Sequence, residues 1–218
     1  MKNKLKYMAL CLSLLIGVGA CSEEEIAYSA GEENKEVILQ LNCQLQTNQE
    51  VIVSRASTAE NRLNDLHFYV FNAAGELTGY KKLVATESSP IPTPGPETVT
   101  VKAITGEAYI YALANLNSTI YYLDDADKNK LTGIDEADVA GSSLTRDEFL
   151  AIDFKRQYGN ASHIISPNPT DGQFMMSGYL NGGKAVTITA GTNGAGVISE
   201  SNVIRLYRIH LPSRPVTE

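Results

Sequence analysis

The stretch VILQLNCQL, residues 37–45, decides the fold. Its odd-numbered positions are all apolar: Val37, Leu39, Leu41, Cys43 and Leu45. Its even-numbered positions carry Gln or Asn, with Ile38 as the exception. Successive side chains of a β-strand point to opposite faces, so this alternation predicts a strand with one face in a core.

The segments that follow are short, apolar or aromatic, and separated by turn residues. His67–Phe71 predicts a central strand, and the turn Asn72–Gly75 predicts a hairpin with a returning strand over 76–83. The run 51–53 predicts a further strand, and residues 98–104 and 108–116 predict a strand pair around Thr105-Gly106-Glu107. The last predicted strands are 174–180, 185–190 and 203–211, with a hairpin turn at Asn181–Gly183 between the first two. This pattern predicts an all-β fold, a two-sheet sandwich of about seven strands.

Helices are expected to be few and short. Thr145 and Glu148 have the spacing of a capping box ahead of an apolar run, which predicts one short helix there. Residues 57–60 predict a second helical turn on the same grounds. The polar stretch 117–145 is predicted to be loop.

One polar cluster in that loop has the spacing of a calcium site. Asp125, Asp127, Asn129 and Glu136 occupy offsets 1, 3, 5 and 12 of a calcium-binding loop. Offset 6 is Lys130 rather than glycine, and no amphipathic helices flank the segment. A solvated acidic loop is the simpler interpretation, and no metal or cofactor is predicted.

The N-terminus predicts secretion and lipid anchoring. Residues 1–20 have three lysines, an apolar run and a small-residue tail, which is typical of a signal peptide. Val18-Gly19-Ala20-Cys21 resembles a bacterial lipobox, so Cys21 is the candidate acylation site; the alternative is a plain signal peptide. Residues 21–34 predict an acidic tether, and its Glu23–Glu25 run also resembles a surface-export signal.

Composition excludes several classes of function. The chain has 18 basic and 25 acidic residues, and three lysines would leave with the signal peptide, so a nucleic-acid partner is not expected. Cys43 would be the one cysteine left unmodified, so no intramolecular disulfide is expected. His67, His163 and His210 form no ligand motif, and no nucleophile elbow or phosphate loop is present. We therefore expect a non-enzyme, with His67 either pointing out of its strand or hydrogen-bonded near the core.

The chain resembles the fimbrillin superfamily, the Mfa-like lipoproteins that build type V pili. The resemblance rests on the order and spacing of several weak motifs: the lipobox at Cys21, the alternating strand at 37–45, Ser54–Ser57, LNDLHFYVFNAAGEL at 63–77, Ile110–Asn117 and Met176–Gly178. It implies a transthyretin-like, Greek-key β-sandwich. It also implies an outer-membrane, cell-surface location and other pilus subunits as partners.

The resemblance further implies assembly by strand exchange. In the family, an Arg-specific surface protease removes the first strand of the precursor, and a strand from the next subunit fills the groove. Mapped onto this sequence, cleavage would fall between Arg55 and Ala56, with Arg62 as a rival, and Val37–Leu45 would be the exchanged segment.

Domain organisation follows from the same resemblance. We expect residues 35–211 to form the N-terminal β-sandwich and 212–218 a tail, with the family's usual second domain absent. The sequence is then either a truncated product or a one-domain relative. An anchor, cap or accessory subunit that accepts a strand fits this organisation, as does an uncut lipoprotein. The alternatives are a surface glycan-binding lipoprotein that uses Tyr121, Tyr122 and Tyr158, and a lipid-anchored hydrolase.

Overall fold

The computed structural model describes residues 34–46, 62–92, 96, 98–116, 121–152, 155–156 and 175–209. The strands are β1 Glu36–Leu45, β2 Asp65–Asn72, β3 Leu77–Val84, β4 Val99–Ile104, β5 Gly106–Ala114, β6 Tyr121–Tyr122, β7 Lys155–Arg156, β8 Met176–Tyr179, β9 Val186–Ala190, β10 Gly196–Ile198 and β11 Val203–Arg208. The helices are α1 Asp125–Thr132 and α2 Arg146–Ala151, with 3₁₀ turns at Val139–Gly141, Asn181–Gly183 and Thr192–Gly194. The predicted all-β fold is confirmed. Among these residues, no helix has the length and apolar character needed to cross a membrane.

A large sheet is built around β5. β2 pairs with β3 on one side and with β5 on the other, both antiparallel. The opposite edge of β5 pairs with β9 over Gly106–Ala108 and with β8 over Tyr111–Ala114, and β8 continues to β11. The β2–β3 hairpin was predicted correctly, and Gly75 adopts the left-handed conformation that its turn requires (φ 81°).

β1 and β4 form a second layer that faces this sheet. β1 pairs antiparallel with β4, and its far end pairs with β11, so it links the two layers. Gly79 lets the layers approach, because a Cβ at this position would lie only 2.0 Å from the carbonyl oxygen of Lys102 on β4.

Two separate cores lie on opposite faces of the large sheet, because side chains alternate along β2 and β5. Phe68 and Val70 point into the core shared with β1 and β4, and Tyr69 and Phe71 point into the other. The second core is covered by α1 and α2. Phe149 of α2 inserts among aromatic rings there, with its centroid 4.9 Å from that of Tyr69.

The capping box predicted for α2 is present: Thr145 Oγ1 accepts a hydrogen bond from the Glu148 N–H, and Glu148 accepts one from the Thr145 N–H. The prediction that 117–145 is loop was wrong, because α1 lies inside it. α1 has a polar sequence with one buried side chain, Leu131, whose carbonyl accepts a hydrogen bond from the Tyr69 hydroxyl (2.9 Å). A single buried position gives no helical periodicity to detect.

Two strand pairings were also predicted wrongly. β4 and β5 are both strands, but around Gly106 (φ 123°) the chain passes from one layer to the other, and the two strands pair with different partners. The turn at Asn181–Gly183 exists, yet it does not make a hairpin. β8 and β9 run in the same direction along one edge of β5, and the turn interrupts what is otherwise a continuous path.

Candidate functional site

The exchange segment proposed from the sequence is a strand with one fully buried face. Val37, Leu39, Leu41 and Cys43 are each at most 1% exposed. Leu45 packs against the same core but is half-buried. The opposite face is open to solvent, with Ile38 40% exposed. The alternation in the sequence therefore corresponds to one buried face and one exposed face.

β1 changes partner halfway along its length. Residues 36–41 pair antiparallel with residues 99–104 of β4. Residues 42–45 pair parallel with residues 203–206 of β11. Asn202 lies at the change of partner: its side-chain Nδ2 donates to the Gln40 carbonyl (3.1 Å), and its own carbonyl accepts from the Asn42 N–H (2.9 Å). Asn202 therefore binds main-chain atoms on both sides of Leu41.

A glycine of β10 faces the first half of β1. A Cβ built at Gly196 would lie 2.6 Å from Leu39 Cδ2 and 2.9 Å from Val37 Cγ2. Beside it, Ala195 forms a parallel bridge with Ile38. We call the surface that β1 covers, formed by β4, β11 and Gly196, the β1 groove.

The β1 groove has the properties of a strand-binding site. Among the described strands, β4 has β1 as its one ladder partner, so removing β1 would expose the edges of both β4 and β11. Exposed strand edges bind extended segments through main-chain hydrogen bonds, while pockets for alternate side chains give specificity. The chemistry of the groove is therefore binding of an extended chain with apolar residues at every second position.

Burial at this site is large on the scale of the domain. Full burial of one Val or Leu side chain contributes about 1.5–3 kcal/mol. Val37, Leu39 and Leu41 together would contribute roughly 5–9 kcal/mol by the same measure, against a stability of about 5–15 kcal/mol for a typical domain. A chain with an empty β1 groove would have lost much of its stability.

The candidate cleavage position, Arg55-Ala56, lies outside the described residues, as does the candidate lipidation site, Cys21. The rival, Arg62, is described, and its main chain is held in place. Its carbonyl accepts a hydrogen bond from Nδ2 of Asn115 (3.0 Å), and Oδ1 of Asn115 accepts one from the Asn64 N–H (2.8 Å). The next residue, Leu63, is fully buried.

The residues of the calcium candidate do not form a loop. Asp125, Asp127 and Asn129 lie on α1, while Glu136 binds elsewhere. The Glu136 carboxylate accepts hydrogen bonds from Lys81 Nζ and from the Lys82 N–H, both 2.8 Å. Burial raises the pKa of Glu136, but these hydrogen bonds outweigh it and leave the pKa below its usual value. Within the described part of the chain, no three His, Cys, Asp or Glu side chains are grouped to hold a metal ion.

A buried polar cluster surrounds His67. Of the two positions left open for this residue, the structure shows the one hydrogen-bonded near the core, but its neighbours Asp65 and Tyr80 were not predicted. His67 is 1% exposed, and its Nδ1 lies 2.7 Å from the Tyr80 hydroxyl. Its Nε2 lies 3.3 Å from Oδ1 of Asp65 but makes no hydrogen bond with it. Burial, together with the charges of Glu136 and Asp65, raises the pKa of Tyr80, so its hydroxyl stays protonated. No substrate could reach this cluster from solvent, and we interpret it as structural. The signal was present as Asp65 and His67 at alternate positions of β2.

The tyrosines suggested for glycan stacking do not form a described platform. Tyr121 and Tyr122 lie in the short strand β6, and Tyr158 is outside the described residues. The tyrosines that the structure does expose are Tyr179 and Tyr207, on β8 and β11.

Comparison with known proteins identifies the family of the chain. The sequence profile of the family described as "Major fimbrial subunit protein (FimA)" matches residues 40–208. No curated protein matches the chain significantly.

Solved structures that match the chain include three fimbrial proteins of Porphyromonas gingivalis. The tip fimbrial protein Mfa3 is 16% identical, with a TM-score of 0.47 over 80% of this chain and 48% of that one. The anchor protein Mfa2 is 14% identical, with a TM-score of 0.42 over 79% and 50%. A fimbrilin (FimA) is 13% identical, with a TM-score of 0.37 over 82% and 41%. The chain thus spans about half the length of these solved proteins. Because the FimA profile matches most of the sequence, from within β1 to the last residue of β11, the chain belongs to the major fimbrial subunit (FimA) family.

Proposed function

We propose that this protein is a structural or anchoring subunit of a type V pilus and joins a neighbouring subunit by strand exchange at the cell surface. The observation that carries the proposal is β1, which is buried along one face and is the ladder partner of β4. The same geometry requires no cofactor and no catalytic group. The role of the β1 groove is therefore binding rather than catalysis.

Maturation would occur in the connection that follows β1. Cleavage between Arg55 and Ala56 would separate β1 from the rest of the sandwich and make the β1 groove available. Arg62 is a poorer site, because proteases need several residues of extended, accessible chain around the cut. The hydrogen bonds of Asn115 to Arg62 and Asn64, and the burial of Leu63, oppose that conformation.

Lipidation at Cys21 would place the protein on the outer membrane, with residues 21–34 as a tether to the sandwich. Acyl chains anchor a protein in proportion to the CH₂ groups they bury, and two or more chains give durable anchoring. Before cleavage, this anchor would hold the sandwich of residues 35–211 at the membrane. After cleavage at Arg55, residues 56–211 would serve as the strand acceptor, and other pilus subunits would supply the strand.

Mass spectrometry of the mature N-terminus, on protein from cells that carry an Arg-specific surface protease, tests this proposal. An N-terminus at Ala56, present in wild type and lost in Arg55→Lys, is expected for an exchanged subunit. Arg62→Lys is the matched control and should leave this N-terminus unchanged. A lipidated Cys21 with β1 retained would indicate an anchor that remains uncut.

Incorporation into pili is measured on the same cells. SDS-resistant multimers that contain this chain and another pilus subunit support the proposal. A protein that stays monomeric with either N-terminus, and that is absent from purified pili, would refute it.

A further inference from the structure

The two halves of β1 are held unequally. Residues 36–41 make six pairs with β4, and three of their side chains, Val37, Leu39 and Leu41, are fully buried. Residues 42–45 make four pairs with β11, and their inward side chains are the small Cys43 and the half-buried Leu45. The second half therefore buries less apolar surface for each residue.

Strand direction and backing increase this difference. Parallel pairing is slightly less stable per residue than antiparallel pairing, and residues 42–45 are the half of β1 that pairs parallel. Gly196 lies against Val37 and Leu39 and backs the first half. The second half is held by main-chain hydrogen bonds, among them those from Cys43 N–H to the Pro96 carbonyl (3.2 Å) and from Gln46 N–H to the Leu206 carbonyl (2.9 Å).

Asn202 marks the boundary between the halves. It binds the main chain at Gln40 and at Asn42, so these contacts can hold the first half in place after residues beyond 42 have separated. Local opening of a protein begins where few buried apolar contacts must be lost. These features favour an opening that starts at Leu45 and stops at Asn202.

We propose that β1 opens from its C-terminal half, and that the first attachment point for an incoming strand is the edge of β11 at Val203–Leu206. The partner is an extended segment of a neighbouring pilus subunit that runs parallel to β11. It carries a small apolar residue in the place of Cys43 and a larger one two positions later. This inference rests on the proposed function for the identity of the partner, but the order of opening does not depend on it.

The purified full chain provides two measures of opening. Hydrogen exchange resolved by mass spectrometry compares the amides of residues 37–41 with those of 42–46. Alkylation of Cys43, followed by peptide mapping, reports separation of the second half. Burial raises the pKa of this thiol to about 12, so it reacts only when it opens to solvent. We expect residues 42–46 to exchange at least about tenfold faster than 37–41, and Cys43 to react without global unfolding.

A matched pair of variants locates the starting end. Leu45→Ala should increase the rate of Cys43 alkylation by about tenfold and leave the protection of residues 37–41 unchanged. Val37→Ala, at the other end of the strand, should leave the alkylation rate unchanged. Both variants remove apolar atoms from the same core, so a general loss of stability would increase the rate of Cys43 alkylation in both.

Capture of fluorescent peptides tests the attachment point directly. Two peptides of equal length, covering residues 39–46 and 35–42, are offered to the full chain. We expect the first to be captured about tenfold faster, and Leu45→Ala to accelerate it further.

The inference is overturned if both halves of β1 exchange at one rate tied to global unfolding, if Val37→Ala is the variant that exposes Cys43, or if the 35–42 peptide is captured faster. A protein that opens in the expected order but never enters pili would refute the proposed function and leave the order of opening intact.

Discussion

Replacing Gly196 with alanine should test whether β10 packs as closely against β1 as the structure shows. The φ angle of Gly196 is not in the left-handed region, so alanine can adopt this backbone without strain. The cost therefore comes from contact with β1: the new Cβ would lie 2.6 Å from Leu39 Cδ2 and 2.9 Å from Val37 Cγ2. Both side chains are fully buried and have little room to move. Overpacking of this kind costs about 1–3 kcal/mol.

A double-mutant cycle separates this contact from a general effect. Leu39→Ala alone should cost about 2–5 kcal/mol, because it leaves a cavity at a fully buried site. It also removes the atom nearest to the new Cβ, so the double variant should be more stable than the sum of the single effects predicts, by about 1 kcal/mol. Leu41→Ala combined with Gly196→Ala is the control and should be additive, since Leu41 supplies none of the three atoms nearest to that Cβ.

The free energy of unfolding is measured by urea denaturation of all five variants, the three single and two double substitutions, beside wild type, with the slope of the transition checked for constancy. Additivity of Gly196→Ala with Leu39→Ala would refute the close packing of β10 on β1. It would also remove the argument that Gly196 backs the first half of the strand.

Three further predictions concern other parts of the sandwich. Gly79→Ala should lower the free energy of unfolding more than Gly196→Ala in the same urea assay, because its Cβ would meet the backbone carbonyl oxygen of Lys102, which cannot rotate away as a side chain can. An equal or smaller loss would contradict the close approach of β3 and β4. Asn115→Ala should lower the free energy of unfolding by about 2–4 kcal/mol, because it removes hydrogen bonds to the main chain and places alanine at a left-handed φ of 59°. Asn115→Gly should lower it less, because glycine tolerates that φ. Equal losses would mean that the backbone conformation contributes nothing. The lowered pKa of Glu136 means that its contribution to stability is present above its ordinary pKa of 4.5 and is lost as pH falls through the lowered value. Glu136→Gln should therefore flatten the decline in melting temperature below about pH 4.5. An unchanged dependence of melting temperature on acid pH would contradict the pairing with Lys81.

The sequence predicted local features well where a pattern repeats along several residues. The alternation over 37–45 identified the buried positions of β1, since a strand has a period of two. The turn at Asn72–Gly75 identified the β2–β3 hairpin, because the two strands it joins are adjacent. The capping box at Thr145 and Glu148 identified α2, since both of its hydrogen bonds are local.

Pairing between strands could not be predicted in the same way. The turns at Thr105–Glu107 and Asn181–Gly183 show that the chain changes direction or is interrupted, but a turn does not specify the layer in which the next strand lies. The change of partner within β1 depends on β11, about 160 residues later in the chain, and on Asn202. The cluster around His67 was not predicted for a related reason: the alternation of Asp65 and His67 along β2 is local, but Tyr80, which lies against the His67 ring, is on β3, and the alternation does not specify it.

The aromatic packing beneath α2 has a consequence for the strand exchange proposed above. Phe149 joins Tyr69, Phe71 and Tyr111 in a core that shares no residue with the one β1 completes. Loss of β1 would therefore remove contacts from one core and leave the contacts of the other core in place. The aromatic contacts of Phe149 would then hold β2 and β5 together behind the empty groove until a new strand restores the lost burial.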